Sequence, residues 1–456
     1  MRALILALFT LLVQSVAAQQ KDLSADALLA IIKRYHPVAK QAALDVNIAS
    51  AELTASRGQF DPVFNMGNAR KEFGGLIYYN QQQTEIKIPT WYGIDVVAGQ
   101  EELSGERLNP EETRGTLTYV GLSMPLVQNL VMDKRRAAVR LARSYRDLSE
   151  VQRRIALNDL LHDALRAYWE WWEQYYLYQL IRSARGNAER RFQMVRQAYI
   201  AGDRPAIDTL EAYTQIQSFV IRESESFTDL AKARLTLSVY LWRENDEQYD
   251  LPADVVPRDV EEEPVPPLEA MLSQAERHPE LTQYRFKLDM LRIERSLKFQ
   301  LLLPEVYLKY NQLGYDISRT IKGPWFQQSY RYGISVSMPL RLSEGRGEFR
   351  KAKLKIERTQ LEQINKQVLI NNKVNQYYTE WQQTTLQTAM QKRLAENTAS
   401  LQRGEEIRFQ NGESSLFLVN SRELKTIETE QKLIQIRAKN RSALADLRWS
   451  AGLLFN

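Results

Sequence analysis

The stretch "YVGLSMPL" at residues 119–126 is spelled again, with small changes, as "YGISVSMPL" at residues 332–340. Val120, Leu122 and Met124 alternate with Gly121 and Ser123, as Ile334, Val336 and Met338 alternate with Ser335 and Ser337. A period of two places the apolar set on one face of a β-strand and the small, polar set on the other. Such a strand suits a wall with lipid or core on one side and water on the other.

The duplication reaches well beyond these strands. "RYHPVAK" at 34–40 and "ERHPELT" at 276–282 carry two of the three histidines. With His36-Pro37 laid on His278-Pro279, the register runs without a gap to Pro62 and Pro304. Leu44 falls on Phe286, Ile48 on Met290, Ala51 on Ile293 and Glu52 on Glu294, in the steps of three and four that mark one helix face. Each helix starts at a proline, whose missing N–H is harmless in a first turn, and stops before the next proline. Strand alternation follows, with Phe64 and Met66 in one copy and Val306, Leu308 and Tyr310 in the other. Four strands cannot close a spanning barrel, which needs about eight, so closure calls for several chains.

On this reading the histidines are punctuation between helices. His162, in "LLHDALRAY", lacks the second histidine and the glutamate of a helical zinc site, so neither metal nor cofactor is expected. Nor do acid, base and nucleophile converge, and "GESSL" at 412–416 does not have the context of a nucleophile elbow. The chain has 456 residues and a formal charge of +5, with basic and acidic residues interleaved, so nucleic acid is not an expected partner. There is no cysteine, which removes thiolate chemistry and disulfides together. "MRALILALFTLLVQSVAAQQ" reads as an export signal over residues 1–18, with Arg2 at its head and Val16-Ala17-Ala18 at the cleavage site. Beyond it no apolar run approaches the roughly 20 residues of a spanning helix, so an exported chain like this one crosses a membrane only as a β-barrel.

Two proline-free runs predict very long helices, at about 127–200 and about 347–410, each on the order of 100 Å at 1.5 Å per residue. Leu354, Leu361 and Val368 are seven apart, with Ile364 beside them, a coiled-coil-like seam. Both helices stop at glycine turns of the same spelling, "RQAYIAGDRPAID" at 196–208 and "IRFQNGESSLFLV" at 407–419. Asp203 or Ser414 is placed to cap the next helix. Returning helices are expected at about 205–242 and 415–450, each too short to flank its partner alone. The helices near 38–58 and 280–300 would cover the remainder. Repeat 1 thus spans 19–248 and repeat 2 spans 268–456, joined by a proline- and acid-rich connector at 249–267.

Signal, duplicated helix–hairpin–long helix–helix units, SMPL strand ends and paired Y/F-x-x-G turns together resemble the TolC-like outer membrane efflux proteins, the outer membrane factors, over essentially the whole mature chain. The resemblance implies a mainly α fold with a transmembrane β-barrel part. In a TolC-like homotrimer, each chain would give four strands to a shared twelve-stranded barrel, beside a long periplasmic α-helical barrel. It implies a passive exit duct, not an enzyme, in the outer membrane of a Gram-negative bacterium, with most of its mass in the periplasm. Its implied partners are outer-membrane lipid, a periplasmic adaptor (membrane fusion) protein and an inner-membrane transporter of RND, ABC or MFS type, in tripartite efflux or type I secretion. Tyr199, Gly202, Asp203, Asp208, Phe409, Gly412 and Glu413 would then lie at the periplasmic aperture. Asp208 falls where the family's first repeat carries an aperture acid, and Phe409 replaces a tyrosine. Leu418 and Ser421 stand where the second repeat would carry acids, leaving at most one ring of three Asp208. Asp208 reads equally well as a first-turn acid matched to the helix dipole.

Two segments stay open. "EFGGLIYYNQQQTEIKIPTWYGIDVVAGQ" at 72–100, which the second repeat lacks, is either an external loop or an extra hairpin folded on the barrel. "YWEWWEQYYLYQL" at 168–180 is either helix packing or a patch that stacks substrates inside a duct. A soluble periplasmic coiled-coil scaffold or adaptor is the rival function; it accounts for the helices but leaves the amphipathic hairpins without purpose.

Overall fold

The computed structural model describes residues 22–258 and 264–455, so the export signal and residues 259–263 of the connector lie outside the described residues. Strand β1 (Asp22–Leu23) and helices α1 (Ala25–Tyr35) and α2 (Pro37–Arg57) precede four strands, β2 (Val63–Phe73), β3 (Leu76–Pro89), β4 (Asp95–Ser104) and β5 (Gly115–Pro125). The long helix α3 (Lys134–Ile200) and its returning helix α4 (Ala206–Ser238) follow. After β6 (Val256–Pro257) and α5 (Leu268–Ala275), the pattern repeats with α6 (Pro279–Gln300), β7 (Glu305–Gly314), a short α7 (Ile317–Lys322), β8 (Tyr330–Ser337), α8 (Ser343–Gln410) and α9 (Leu416–Ser450). Helix α3 starts at Lys134 because Asp133 caps it, its carboxylate accepting the Arg136 N–H at 2.7 Å.

The chain divides into two compact units, and α2, α3 and α8 give residues to both. The first comprises residues up to Ala42, Arg154–His278 and Val368 onward. Its core gathers Leu28 and Ile32 of α1, Leu161, Ala164, Tyr168, Trp171 and Trp172 of α3, and Leu237 of α4. The aromatic run at 168–180 is therefore largely core. Tyr168, Trp169, Trp171 and Trp172 are all buried, and the Tyr168 hydroxyl donates to the Leu23 carbonyl at 2.8 Å, holding the end of β1, which pairs in parallel with β6. His36 acts as a joint. Its backbone N–H closes α1 onto Ile32, its Nδ1 accepts the Val38 N–H at 3.2 Å as α2 begins, and its ring stacks on Tyr240.

The second unit, Ala43–Arg153 and Pro279–Gln367, is built on one antiparallel sheet of order β2-β3-β4-β5-β7-β8. The sheet has six strands, not the four expected from the repeat. The additional pair, β3 and β4, comes from the 72–100 segment, which is neither a loop nor a hairpin laid over the sheet but part of it. Gly74 and Gly75, both at positive φ, make the tight two-residue turn between β2 and β3. Leu53, Phe60 and Val139 pack together, Phe60 stacks on Trp91 between β3 and β4, and Lys298 of α6 pairs with Glu348 of α8 at 2.8 Å.

Candidate functional site: a two-faced sheet and a doubled helical turn

Cross-strand partners share a face, so the register sorts every strand residue onto one of two sides. One row runs Phe64–Ile86–Ala98–Val120–Gln312–Tyr330, a second Ile88–Val96–Leu122–Tyr310–Tyr332, and a third Met124–Leu308–Ile334. Across these rows the face is mainly apolar and partly open, with Ile334 61 % and Val336 69 % exposed, and it turns polar beyond them, where Thr84, Gln100 and Thr118 and then Gln82, Glu102 and Thr116 follow. The opposite face is polar. There Lys87 pairs with Asp95 at 2.9 Å, Arg331 reaches Glu101 at 3.4 Å, and the Tyr119 hydroxyl donates to Glu85 at 2.8 Å. Tyr119 lies flat across Gly99, where a Cβ would come within 2.6 Å of the Thr84 carbonyl oxygen. Only glycine lets the ring settle there.

Five of the six expected strand positions, Val120, Leu122, Met124, Ile334 and Val336, fall together on the apolar face. Met338 does not belong to the strand. Pairing ends at Glu305–Ser337, with Pro304 on one side and Pro339 on the other, and proline cannot donate to a ladder. The β7–β8 connection folds back onto the same apolar face. Thr320 of α7 meets Thr118 at 2.8 Å, and Phe326 packs on Tyr310 with ring centres 4.2 Å apart. It leaves Ile317, Ile321 and Phe326 exposed.

In the first unit the two long helices end in one motif used twice. The Gly202 N–H bonds to the Tyr199 carbonyl and the Asp203 N–H to Ala198; likewise Gly412 bonds to Phe409 and Glu413 to Arg408. Both glycines take positive φ, 84° and 78°, the left-handed stop of a helix. The caps differ from expectation. Ser415, not Ser414, caps α9 by accepting the Leu418 N–H at 3.3 Å, while Ser414 donates to Glu405. Pro205 occupies the cap of α4 with no side-chain bond, and Asp203 is simply exposed, as is Glu413.

Arg204 organises the first turn. Its guanidinium lies 4.3 Å over the Phe409 ring and 3.7 Å from the Asp208 carboxylate, so the two repeats meet through it and Asp208 faces a cation from its own chain. Phe409 packs with Val195, Ala212 and Leu416, whereas Tyr199 stays exposed. Sequence reasoning missed the group behind this turn. Arg191 of α3 grips Glu423 of α9 through two bonds of 2.6 and 2.8 Å and also bonds Asn420 at 3.0 Å, and Asn420 donates to Glu211 of α4. Burial alone would lower the Arg191 pKa; the bond and charge of Glu423, with Glu406 behind it, turn the net shift upward.

The whole arrangement matches solved structures. Over 94 % of this chain it superposes on the Campylobacter jejuni CmeC outer membrane channel, covering 85 % of that chain (TM-score 0.66, 13 % identity). The open-state Neisseria gonorrhoeae MtrE outer membrane channel gives 94 % and 88 % coverage (TM-score 0.66, 15 % identity). The Vibrio cholerae outer membrane protein VceC gives 94 % and 96 % (TM-score 0.63, 12 % identity). This chain has the TolC-like outer membrane channel fold. No family model and no curated protein matches it by sequence. Within the TolC-like fold, the two-faced sheet and the doubled glycine turn are this chain's candidate working parts.

Proposed function

We propose that this protein is the outer-membrane exit duct of a tripartite efflux or type I secretion system. Three copies assemble, their sheets close into a barrel in the outer membrane, and their long helices wall the periplasmic part. The duct is passive and catalyses nothing. An inner-membrane transporter supplies energy and cargo, and a periplasmic adaptor joins the two. The observation that carries this reading is the sheet, with an open apolar face suited to lipid and a charged face suited to water. Five of the six strands, of 10–14 residues, meet the roughly 9–11 needed to span, and β8 has eight. Apolar residues left exposed along α8, including Leu354, Leu361, Ile364 and Val368, supply a seam for neighbouring copies. On this reading Tyr199, Gly202, Asp203, Asp208, Phe409, Gly412 and Glu413 surround the periplasmic aperture.

Cell fractionation followed by planar-bilayer recording tests it. Detergent-extracted protein from the outer membrane should form trimers with steady ion conductance. Release by osmotic shock without detergent, and no conductance, would favour the soluble scaffold instead.

A further inference from the structure

We infer that the barrel this chain builds with its own copies has eighteen strands rather than twelve, joined edge to edge from β8 of one copy to β2 of the next. The inference rests on the exit-duct reading and concerns how its membrane wall is made.

The extra strands sit in the middle of the sheet. The order β2-β3-β4-β5-β7-β8 places β3 and β4 between β2 and β5, the two strands that correspond to β7 and β8 of the second repeat. If β3 and β4 stood apart from the wall, β2 would leave with them. Their pairing is unbroken, with ten partners between β3 and β4 and nine between β4 and β5. Their side chains keep the sheet's two-sidedness. Ile86, Ile88, Val96 and Ala98 extend the apolar face, and Lys87 and Asp95 the polar one. A cover or plug would have no need to match both faces of its neighbours.

The two outer strands are open to a second copy. Every residue of β2 and of β8 is exposed, and each strand has one edge without a ladder partner. Water-soluble proteins blunt such edges with charges, prolines or bulges. Here Val63–Ala69 of β2 carries no charge or proline, and the one register shift comes later, at Lys71/Glu72. In β8 the only charge is Arg331. Charge-free stretches of seven residues in β2 and six in β8, Tyr332–Ser337, are thus similar in length. In an antiparallel sheet with an even number of strands, β8 of one copy meets β2 of the next antiparallel, with apolar and polar faces continued. At a strand spacing of about 4.8 Å and a tilt of about 40°, eighteen strands give a ring about 36 Å across, against about 24 Å for twelve.

The cysteine-free sequence makes the test clean. Asn65→Cys would be combined with Gly333→Cys, Ser335→Cys or Ser337→Cys in the full-length protein, treated with a short bifunctional maleimide, and run on denaturing gels. At least one pair should lock chains into a covalent trimer. Electron microscopy of the unmodified protein in lipid nanodiscs should show a three-fold ring near 36 Å. A chain lacking Leu76–Ser104 should give a ring near 24 Å if it still assembles. A three-fold ring of about 24 Å from the full chain would overturn the eighteen-strand wall while leaving the duct intact. Protein that neither enters nanodiscs nor crosslinks would overturn the duct reading itself.

Discussion

Replacing Glu423 by leucine should loosen the junction of α3, α4 and α9 far more than a surface change would. Glu423 is 2 % and Arg191 8 % exposed, and the two share a bidentate bond. Without the carboxylate, the Arg191 guanidinium stays buried with one bond to Asn420 and a carboxylate, Glu406, 3.9 Å away. Stranding a buried charge costs about 3–5 kcal/mol, whereas exchanging both partners for apolar residues is often nearly neutral. At about 1.4 kcal/mol per factor of ten, the lower figure raises local opening by roughly a hundredfold. Native-state proteolysis reads that opening where cleavage is slow compared with reclosing. Trypsin should therefore cut Glu423→Leu at Arg196 or Arg408, beside the glycine turns, roughly a hundred times faster than the parent. Arg191→Leu/Glu423→Leu should return to within about tenfold. If the single variant is cut no faster than the parent, or the double variant no more slowly than the single, the buried pair does not hold this junction.

Three further outcomes follow from the same structure. At Gly121 a side chain would collide with the Tyr310 carbonyl and the Asn311 backbone, so Gly121→Val should cost about 1–3 kcal/mol and lower the heat stability of the folded sheet on unboiled gels. Burial lowers the His36 pKa below its ordinary 6.5, against the opposing effect of a hydrogen bond to the Val239 backbone. The unfolded chain then binds more protons below 6.5, so this stability is present above that pH and is lost as pH falls toward the folded value. Melting temperatures at about pH 7.5 and about pH 5 should differ less in His36→Gln than in the parent. Tyr168→Phe removes the donor to Leu23 and should cost about 1–3 kcal/mol, with faster hydrogen exchange confined to β1 and β6.

The fold was legible because its signals are local and doubled. Two His-Pro joints, two alternating SMPL strands and two glycine stops each specify geometry within a few residues, and repetition turns weak signs into an ordered set. The 72–100 segment was not legible in this way. Its alternation showed at Ile86 and Ile88, but the second repeat has no counterpart, and strand order is fixed by partners distant in sequence. The Arg191–Glu423 pair escaped for a related reason. Its members are 232 residues apart and look like ordinary charges on helices until packing brings them together. The cap of α9 lies one residue beyond the expected Ser414, since Ser414 and Ser415 are adjacent and only backbone geometry selects between them, and α4 has Pro205 at its cap in place of Asp203.

Asp208 shows how the effect of a carboxylate depends on a partner that its position in the sequence does not announce. Counted alone, three such acids around an aperture would make an electronegative ring. The chain supplies Arg204 one helical turn earlier, 3.7 Å from the carboxylate and stacked on Phe409 of the other repeat. Three copies would therefore bring three arginines with the three acids, and the ring would present dipoles rather than net charge. The field of a dipole falls off faster than that of a charge, and salt screens what remains within about 10 Å. A cation preference strong enough to survive physiological salt would need the Arg204 contact to break first. Phe409, which holds Arg204 from the opposite repeat, is then the side chain that ties the electrostatics of the turn to its conformation.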